Sequence, residues 1–468
     1  MAEAASLDRA PRPGPPSVPA AKTWSRRRSM GDWVRLVAAT NGVVLVLNLF
    51  TGIVSARVMG PAGKGVFNAV AVWTSVFTSL SGMGVGTAFV SVYARADDGD
   101  RPWLARAAMF LGCFWGLLGS ATVYFLEPHL VGHLAPRAAA WARFSSPMVA
   151  IFVIAGMGGA MLSVSQRFGQ LNWLRLARTL LYALGVGGLA AFGWLTPYTQ
   201  LATSWVLFVA GNVLTLTLGV TLLPLRAGWV RLRDVWHLAS LGIRYYSLGL
   251  LGMFNSQLDQ MIASAWLSAG DMGLYAVAIS SLSVVGMLQV ALSSIMFPMM
   301  AADSKEAVVA RTLRVLRRMT PLFLVLMLLV CACAWPVLLL MYGRAYLGAV
   351  GVVLVIAPTA AFMGTITIFY QGCYALRWFA GPTMGEGVGA GTGAILLAVL
   401  IPRWGLTGAA WADTISYALD ALVVTVFWCR ASRTHPRDLL PTRSDVRLLF
   451  AELRRVPVVS RLVPGLRL

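Results

Sequence analysis

The stretch Gly60-Pro61-Ala62-Gly63-Lys64-Gly65-Val66-Phe67-Asn68-Ala69-Val70-Ala71 returns in a second form as Ser268-Ala269-Gly270-Asp271-Met272-Gly273-Leu274-Tyr275-Ala276-Val277-Ala278. Gly65 and Gly273 are 208 residues apart, and each opens the second apolar run of a pair. Six runs per copy leave both copies in the same orientation across a membrane. The repeat therefore predicts two similar halves about an axis along the membrane normal, with a cavity between them. Chance likeness within low-complexity apolar sequence is the competing reading.

Composition agrees with a membrane setting. Of 468 residues, 58% are hydrophobic and 12% are charged, against roughly 25% charged in a soluble domain. A compact soluble chain cannot hide so much apolar surface. This excludes a soluble enzyme, a secreted disulfide scaffold and a disordered chain. Twelve apolar runs reach the roughly 20 residues that a bilayer core requires: 37–57, 66–92, 104–126, 143–165, 174–195, 200–223, 242–266, 272–298, 318–341, 349–375, 382–401 and 405–429. None alternates with period two as a barrel strand does. The expected fold is an all-α polytopic membrane protein, with about twelve transmembrane helices in two pseudo-symmetric six-helix bundles around a central cavity.

Charge fixes the expected orientation. The net charge is +20, and 32 of the 38 Lys and Arg fall in alternate connections and the two tails. Basic residues stay on the cytoplasmic side, so both termini are expected there. Distributed in this way, the charge orients helices and does not argue for nucleic acid. The chain divides into a basic N-terminal tail (1–33), a first bundle (34–225), a second bundle (226–429) and a basic cytoplasmic tail (430–468). Residues 1–30 read as disordered. Arg26-Arg27-Arg28 reads as an anchoring flank rather than a twin-arginine signal, and either Met1 or Met30 serves as a start. Asp445–Val456 groups Val446, Leu449, Phe450 and Leu453 on one helical face, as a surface-lying helix on anionic lipid does; a solvated tail is the alternative.

Polar groups at membrane depth are costly and mark candidate sites. Asn41 and Asn48 share a face of the first helix. Arg57 ends that helix and either snorkels to the interface or faces the cavity. The seventh helix carries Asn255, Gln257 and Asp259; Asn255 and Asp259 lie four apart on one face, where a carboxylate serves function or an interhelical hydrogen bond. Asp413, Ser416, Tyr417 and Asp420 form a stripe on the last helix, lining a wet path or joining a neighbour. Gly385, Gly389 and Gly393 recur every fourth residue and read as close packing, with Glu386 beside them. Arg175, Arg178 and Arg244 fall near the cytoplasmic starts of their helices. They read as anchors, with reception of an anionic headgroup as the second reading.

Catalytic signatures are missing. The five cysteines show neither zinc spacing nor a disulfide framework. His129 and His133 are four apart, with only Glu127 near them in what reads as an outer loop. No nucleotide-binding fingerprint occurs. The expectation is therefore a non-enzyme with no cofactor and no metal site, using H+ or Na+ as coupling ion.

Three stretches carry a family resemblance: Ser55-Ala-Arg57-Val-Met-Gly60-Pro61-Ala-Gly-Lys-Gly65-Val-Phe67 with Gly82-Met-Gly84-Val-Gly86-Thr-Ala88; Leu258-Asp259-Gln-Met-Ile262 with Gly273-Leu-Tyr275-Ala-Val-Ala278 and Phe297-Pro298; and Ile401-Pro402-Arg403-Trp-Gly405-Leu-Thr-Gly408-Ala409-Ala410. Over residues 35–429 the chain resembles the polysaccharide transporters, the O-antigen and exopolysaccharide flippases of the multidrug/oligosaccharidyl-lipid/polysaccharide exporter superfamily. The resemblance implies a V-shaped pair of bundles around a cationic cavity. It further implies alternating access that moves an undecaprenyl-pyrophosphate-linked oligosaccharide across the bacterial inner membrane for lipopolysaccharide or exopolysaccharide assembly. Membrane lipids and a polymerase or co-polymerase are the implied partners. The family's arginine and aspartate fall on Arg57 and Asp259. Lys64 departs from the uncharged or aromatic residue usual there. Related lipid II flippases typically have fourteen helices, so the twelve counted here argue against that substrate. Arginine suits a pyrophosphate because it binds phosphate in a bidentate manner. Asn41, Asn48, Gln257, Gln371, Tyr370 and Trp73 offer amides, a hydroxyl and aromatic faces to a sugar. A cation-coupled drug exporter is the alternative within the superfamily. A membrane glycan-assembly enzyme or scaffold subunit is the alternative in another class.

Overall fold

The computed structural model describes residues 30–94, 96–165, 167–222, 230–300 and 303–442. The N-terminal tail, the amphipathic stretch 445–456 and the side chain of Asn255 lie outside the described residues. The described chain is built on thirteen α-helices: α1 (Met30–Gly82), α2 (Val85–Tyr93), α3 (Arg101–Val131), α4 (Ala138–Val164), α5 (Phe168–Ala191), α6 (Pro197–Leu222), α7 (Leu232–Trp266), α8 (Ala269–Ser280), α9 (Ser283–Met300), α10 (Lys305–Val337), α11 (Ala349–Ile356), α12 (Thr359–Ala375) and α13 (Ala380–Ser432). Helices satisfy their own backbone within lipid, where no water can do so.

α1 and α13 are each 53 residues long, or about 80 Å at helical rise, far more than a bilayer core of about 30 Å. Each is interrupted once by a glycine outside helical geometry. Gly60 (φ 68°) divides α1 and Gly405 (φ 55°) divides α13; positive φ is the region that glycine enters without a Cβ penalty. Each of the twelve apolar runs therefore has its helix. The two parts of α1 and of α13 hold two runs apiece, with α2 completing the second run of α1. α8 with α9 holds one, and α11 with α12 another. α7 meets the length of a span but carries Arg233, Asp234, Arg244 and Asp259, which dilute its apolar character. Large apolar side chains such as Leu117, Phe125, Leu184, Leu328 and Ile395 stand more than half exposed on these helices. Such an apolar exterior fits lipid, and the chain is a multi-pass membrane protein.

Two apolar clusters draw mainly on α1–α6, around Phe89, Leu104 and Met161, where Leu238 of α7 joins, and around Trp73, Val149 and Trp205. Two more draw mainly on α7–α13, around Tyr275, Val353 and Ala409, where Ala56 of α1 joins, and around Phe323, Phe369 and Trp428. The halves meet where the repeated stretches cross. A Cβ on Gly65 would fall 1.8 Å from the carbonyl oxygen of Ala269, and one on Gly273 would fall 1.9 Å from that of Pro61. Pro61 and Ala269 are related by the same offset of 208 as the two glycines. The contact is thus reciprocal, as a two-fold axis requires. It also explains why the glycines recur: any side chain would hold the two backbones apart.

At the other end of the molecule α7 leans on α2 and α3. Trp103 lies between two guanidinium groups, Arg106 and Arg231, each 4.0 Å from its ring centre. Arg231 also pairs with Asp100 at 2.9 Å.

Candidate functional site

A cavity of about 510 Å³ opens among α1, α4, α5 and α6. Its wall mixes hydroxyls (Thr74, Ser75, Thr78, Ser79, Ser204), an amide (Asn48) and aromatic rings (Phe152, Tyr182, Trp205, Phe208) with two guanidinium groups, Arg175 and Arg178. Three residues apart on α5, the arginines share a face. Arg178 stacks its guanidinium 4.2 Å from the ring centre of Phe208. Its aliphatic stem passes Gly211, where a Cβ would stand 3.3 Å from the arginine Cδ. Neither arginine pairs with a carboxylate among the described residues, and no carboxylate lies in the cavity wall. Two like charges held together with no carboxylate beside them give this wall a positive potential.

Among the described residues, Asn48 is the one amide expected from sequence that stands in this wall. Asn41, two turns earlier on α1, is half-buried, and its Oδ1 has no hydrogen-bond partner. Trp73 does not offer its indole to the cavity: its Nε1 donates to Ser264 on α7 at 2.9 Å. Gln257 on α7 and Gln371 on α12 are half-buried outside the cavity wall. Lys64 lies with its amine 5.3 Å from the ring centre of Phe67, which does line the cavity. Arg244 is exposed on α7, outside that wall.

Arg57 reaches the other half of the molecule. Its Nε donates to the carbonyl of Met341 at 2.8 Å and its Nη2 donates to that of Leu340. Both carbonyls belong to the π-helical turn Leu338–Tyr342 that ends α10. A helix C-terminus presents unpaired carbonyls and partial negative charge, which suits a guanidinium. Tyr346 Oη adds a donation to the carbonyl of Ala56 at 3.1 Å, fastening the same end of the first part of α1.

The second half has acidic polar chemistry. Tyr275 Oη lies 3.2 Å from Asp259 Oδ2 and 3.4 Å from Asp413 Oδ2. The single phenolic proton can serve only one carboxylate at a time. The other oxygen of Asp259, Oδ1, is buried without a partner. Further along α13, Asp420 is buried and accepts from Tyr370 Oη at 2.8 Å. Half-buried Glu386 lies within electrostatic reach of Asp420. Gly385 packs against this pair so closely that a Cβ would sit 2.3 Å from Asp420 Oδ1. Among the described residues no three His, Cys, Asp or Glu are grouped to hold a metal ion.

Residues 54–351, more than half of the chain, match the family of polysaccharide biosynthesis proteins. The chain belongs to that family. The fold is similar to that of the lipid II flippase MurJ in an inward closed conformation, with a TM-score of 0.73 at 14% identity over 89% of this chain and 92% of that one. It is also similar to an inward-facing multidrug resistance MATE family transporter of the MOP superfamily, with a TM-score of 0.62 at 13% identity over 83% and 94% of the two chains. A MOP superfamily transporter from Pyrococcus furiosus gives 0.59 at 12% identity over 85% and 94%. No curated sequence matches the chain. As a polysaccharide biosynthesis protein, this chain has a cationic cavity in one half and an acid–tyrosine network in the other.

Proposed function

We propose that the chain is a flippase. In this reading it carries an undecaprenyl-pyrophosphate-linked oligosaccharide across the bacterial cytoplasmic membrane by alternating access, for surface or exopolysaccharide assembly. The observation that carries this reading is the pair Arg175 and Arg178, unneutralised in a cavity otherwise walled by hydroxyls, an amide and rings. Guanidinium groups bind phosphate oxygens through paired N–H donors. Hydroxyls, amides and aromatic faces suit a sugar, and the lipid tail stays in the bilayer. Family membership adds support by placing the chain in polysaccharide biosynthesis. A cavity for cationic drugs would need carboxylates where these arginines stand.

In this mechanism the reciprocal crossing at Gly65 and Gly273, together with the tie from Arg57 to α10, closes one end. Release of those contacts opens it, and the Asp259–Tyr275–Asp413 network takes the coupling ion, H+ or Na+. A ligand shifts such an equilibrium only through its different affinity for the two states. Both termini lie in the cytoplasm, and a polymerase or co-polymerase takes the delivered unit. The chain moves its substrate without making or breaking a covalent bond. The test is reconstitution of the purified protein in vesicles holding the lipid-linked oligosaccharide on one leaflet. Protein-dependent appearance of the glycan on the other leaflet is expected; its absence under every ion gradient tried would overturn the reading.

A further inference from the structure

Glu127 lies outside the cavity wall and outside the Asp259 network, yet it is wholly buried. It sits in the last turns of α3, facing α1 and α4. Its Oε1 is 3.2 Å from Thr74 Oγ1 on α1, and its Oε2 is 3.1 Å from Ser145 Oγ on α4. The two hydroxyls are 3.3 Å apart. Each has a second acceptor at a shorter distance, the carbonyl of its own helix: Val70 at 2.9 Å for Thr74 and Ala142 at 2.6 Å for Ser145.

Counting protons gives two arrangements. The two hydroxyls have two protons between them, for four acceptors: two backbone carbonyls and two carboxylate oxygens. An ionised carboxylate accepts from both hydroxyls only if these turn away from the carbonyls. When the carboxyl carries a proton, it donates to one hydroxyl oxygen, and both hydroxyls take the shorter bonds to Val70 and Ala142. No basic group pairs with Glu127 among the described residues. On the packed elements, Lys64 lies over Phe67, Arg143 is exposed over Tyr124, and His129 and His133 are exposed. An isolated buried carboxylate is costly unless it is neutralised or fully hydrogen-bonded. Thr74 itself lines the cavity, so the carboxyl is one hydroxyl away from the transport path.

We propose that Glu127 is a proton-binding site of the transport cycle, exchanging its proton with the cavity through the Thr74 hydroxyl. The assignment rests on the transport reading above for its role in the cycle, but proton binding itself does not. Binding or losing the proton turns Thr74 Oγ1 between a helix carbonyl and the carboxyl, which changes the polar surface that the cavity presents.

Infrared difference spectroscopy on the purified full-length protein tests the binding step without substrate. The carbonyl stretch of a protonated carboxylic acid should change with pH, and the part belonging to this site should vanish in Glu127→Gln, which keeps the shape. Identical difference spectra for wild type and Glu127→Gln would overturn the proposal. Thr74→Val leaves Glu127 in place and guards against misfolding of the first variant. It should retain the band and slow its isotope shift after transfer to deuterated buffer; exchange as fast as wild type would overturn the relay. In vesicles, flipping by wild type should respond to an imposed pH gradient, and Glu127→Gln should lose that response. A variant that responds as wild type does would overturn the role in the cycle. Wild type that shows the infrared band but moves no glycan would instead overturn the flippase reading and leave the proton site standing.

Discussion

The two halves share a backbone plan and differ in charge. Around the crossing their repeated stretches are equivalent down to the carbonyl each glycine meets. Away from it, the first half lines its cavity with Arg175 and Arg178, while the second sets half-buried Asp259 and Asp413 against Tyr275 and buried Asp420 against Tyr370. Symmetry governs where helices approach closely, because that is a constraint on backbone. It does not govern polar side chains, which bond within a half, as Tyr370 does to Asp420, or across the halves, as Arg57 and Trp73 do. An anion held by one half and a cation taken by the other is a division of labour that the backbone repeat permits without prescribing.

The largest effect should come from erasing the difference. Arg178→Glu would place a carboxylate in the basic wall beside Arg175. Delivery of lipid-linked glycan to the outer leaflet should fall by about two orders of magnitude, since charged hydrogen bonds contribute about 1.5–3 kcal/mol each and a repulsion is added. Protein levels in the membrane should stay normal. Asp259→Asn follows: it keeps the shape and removes the charge, and delivery should fall by about tenfold, one charged hydrogen bond's worth, while the purified protein remains folded. Tyr275→Phe should leave partial activity, because both carboxylates persist and only the shared donor is lost. Normal delivery by Asp259→Asn would reduce the acidic network to a packing contact.

Where the halves are alike, paired variants should behave alike. Gly65→Ala and Gly273→Ala each force a backbone apart, a strain of about 1–3 kcal/mol. The two should lower thermal stability and delivery to a similar extent; a loss confined to one would break the symmetry. The smallest effect expected is that of Arg57→Lys. Lysine keeps the charge at the end of α10 but lacks the planar fork that reaches two carbonyls. Delivery should fall by about threefold, the equivalent of a weakened hydrogen bond.

Much of the fold was legible because lipid constrains it strongly. Length and apolarity alone marked the runs that became helices, and the repeated glycine marked the crossing. The site was harder to read, for reasons that can be named. The apolar run of the fifth helix begins at 174, but α5 begins at Phe168. The earlier start carries Arg175 and Arg178 into the second and third turns, and both line the cavity wall. The third run stops at 126 because Glu127 and His129 end the apolar stretch. α3 continues to Val131, since the hydroxyls of Thr74 and Ser145 satisfy a carboxyl that looks solvent-bound on paper. Trp73 matched a sugar-binding ring by type, yet its indole is engaged by Ser264, 191 residues away. Asp259 and Asp413 meet through Tyr275 across three helices, and no local periodicity encodes such a meeting. Asn48 was legible as a cavity residue, since a polar group on a lipid-spanning face has few other places to go.

The central claim is that Arg175 and Arg178 hold the phosphate of the transported lipid. Direct binding of an undecaprenyl-pyrophosphate-linked oligosaccharide to the purified protein tests it without the rest of the cycle. Wild type should bind with an affinity that weakens as salt rises, because salt screens charge. The double substitution Arg175→Ala with Arg178→Ala should lower that affinity by at least about tenfold, the effect of losing about 1.4 kcal/mol of binding free energy. Asp259→Asn should bind as wild type does. Equal affinity for the double variant and wild type would contradict the account.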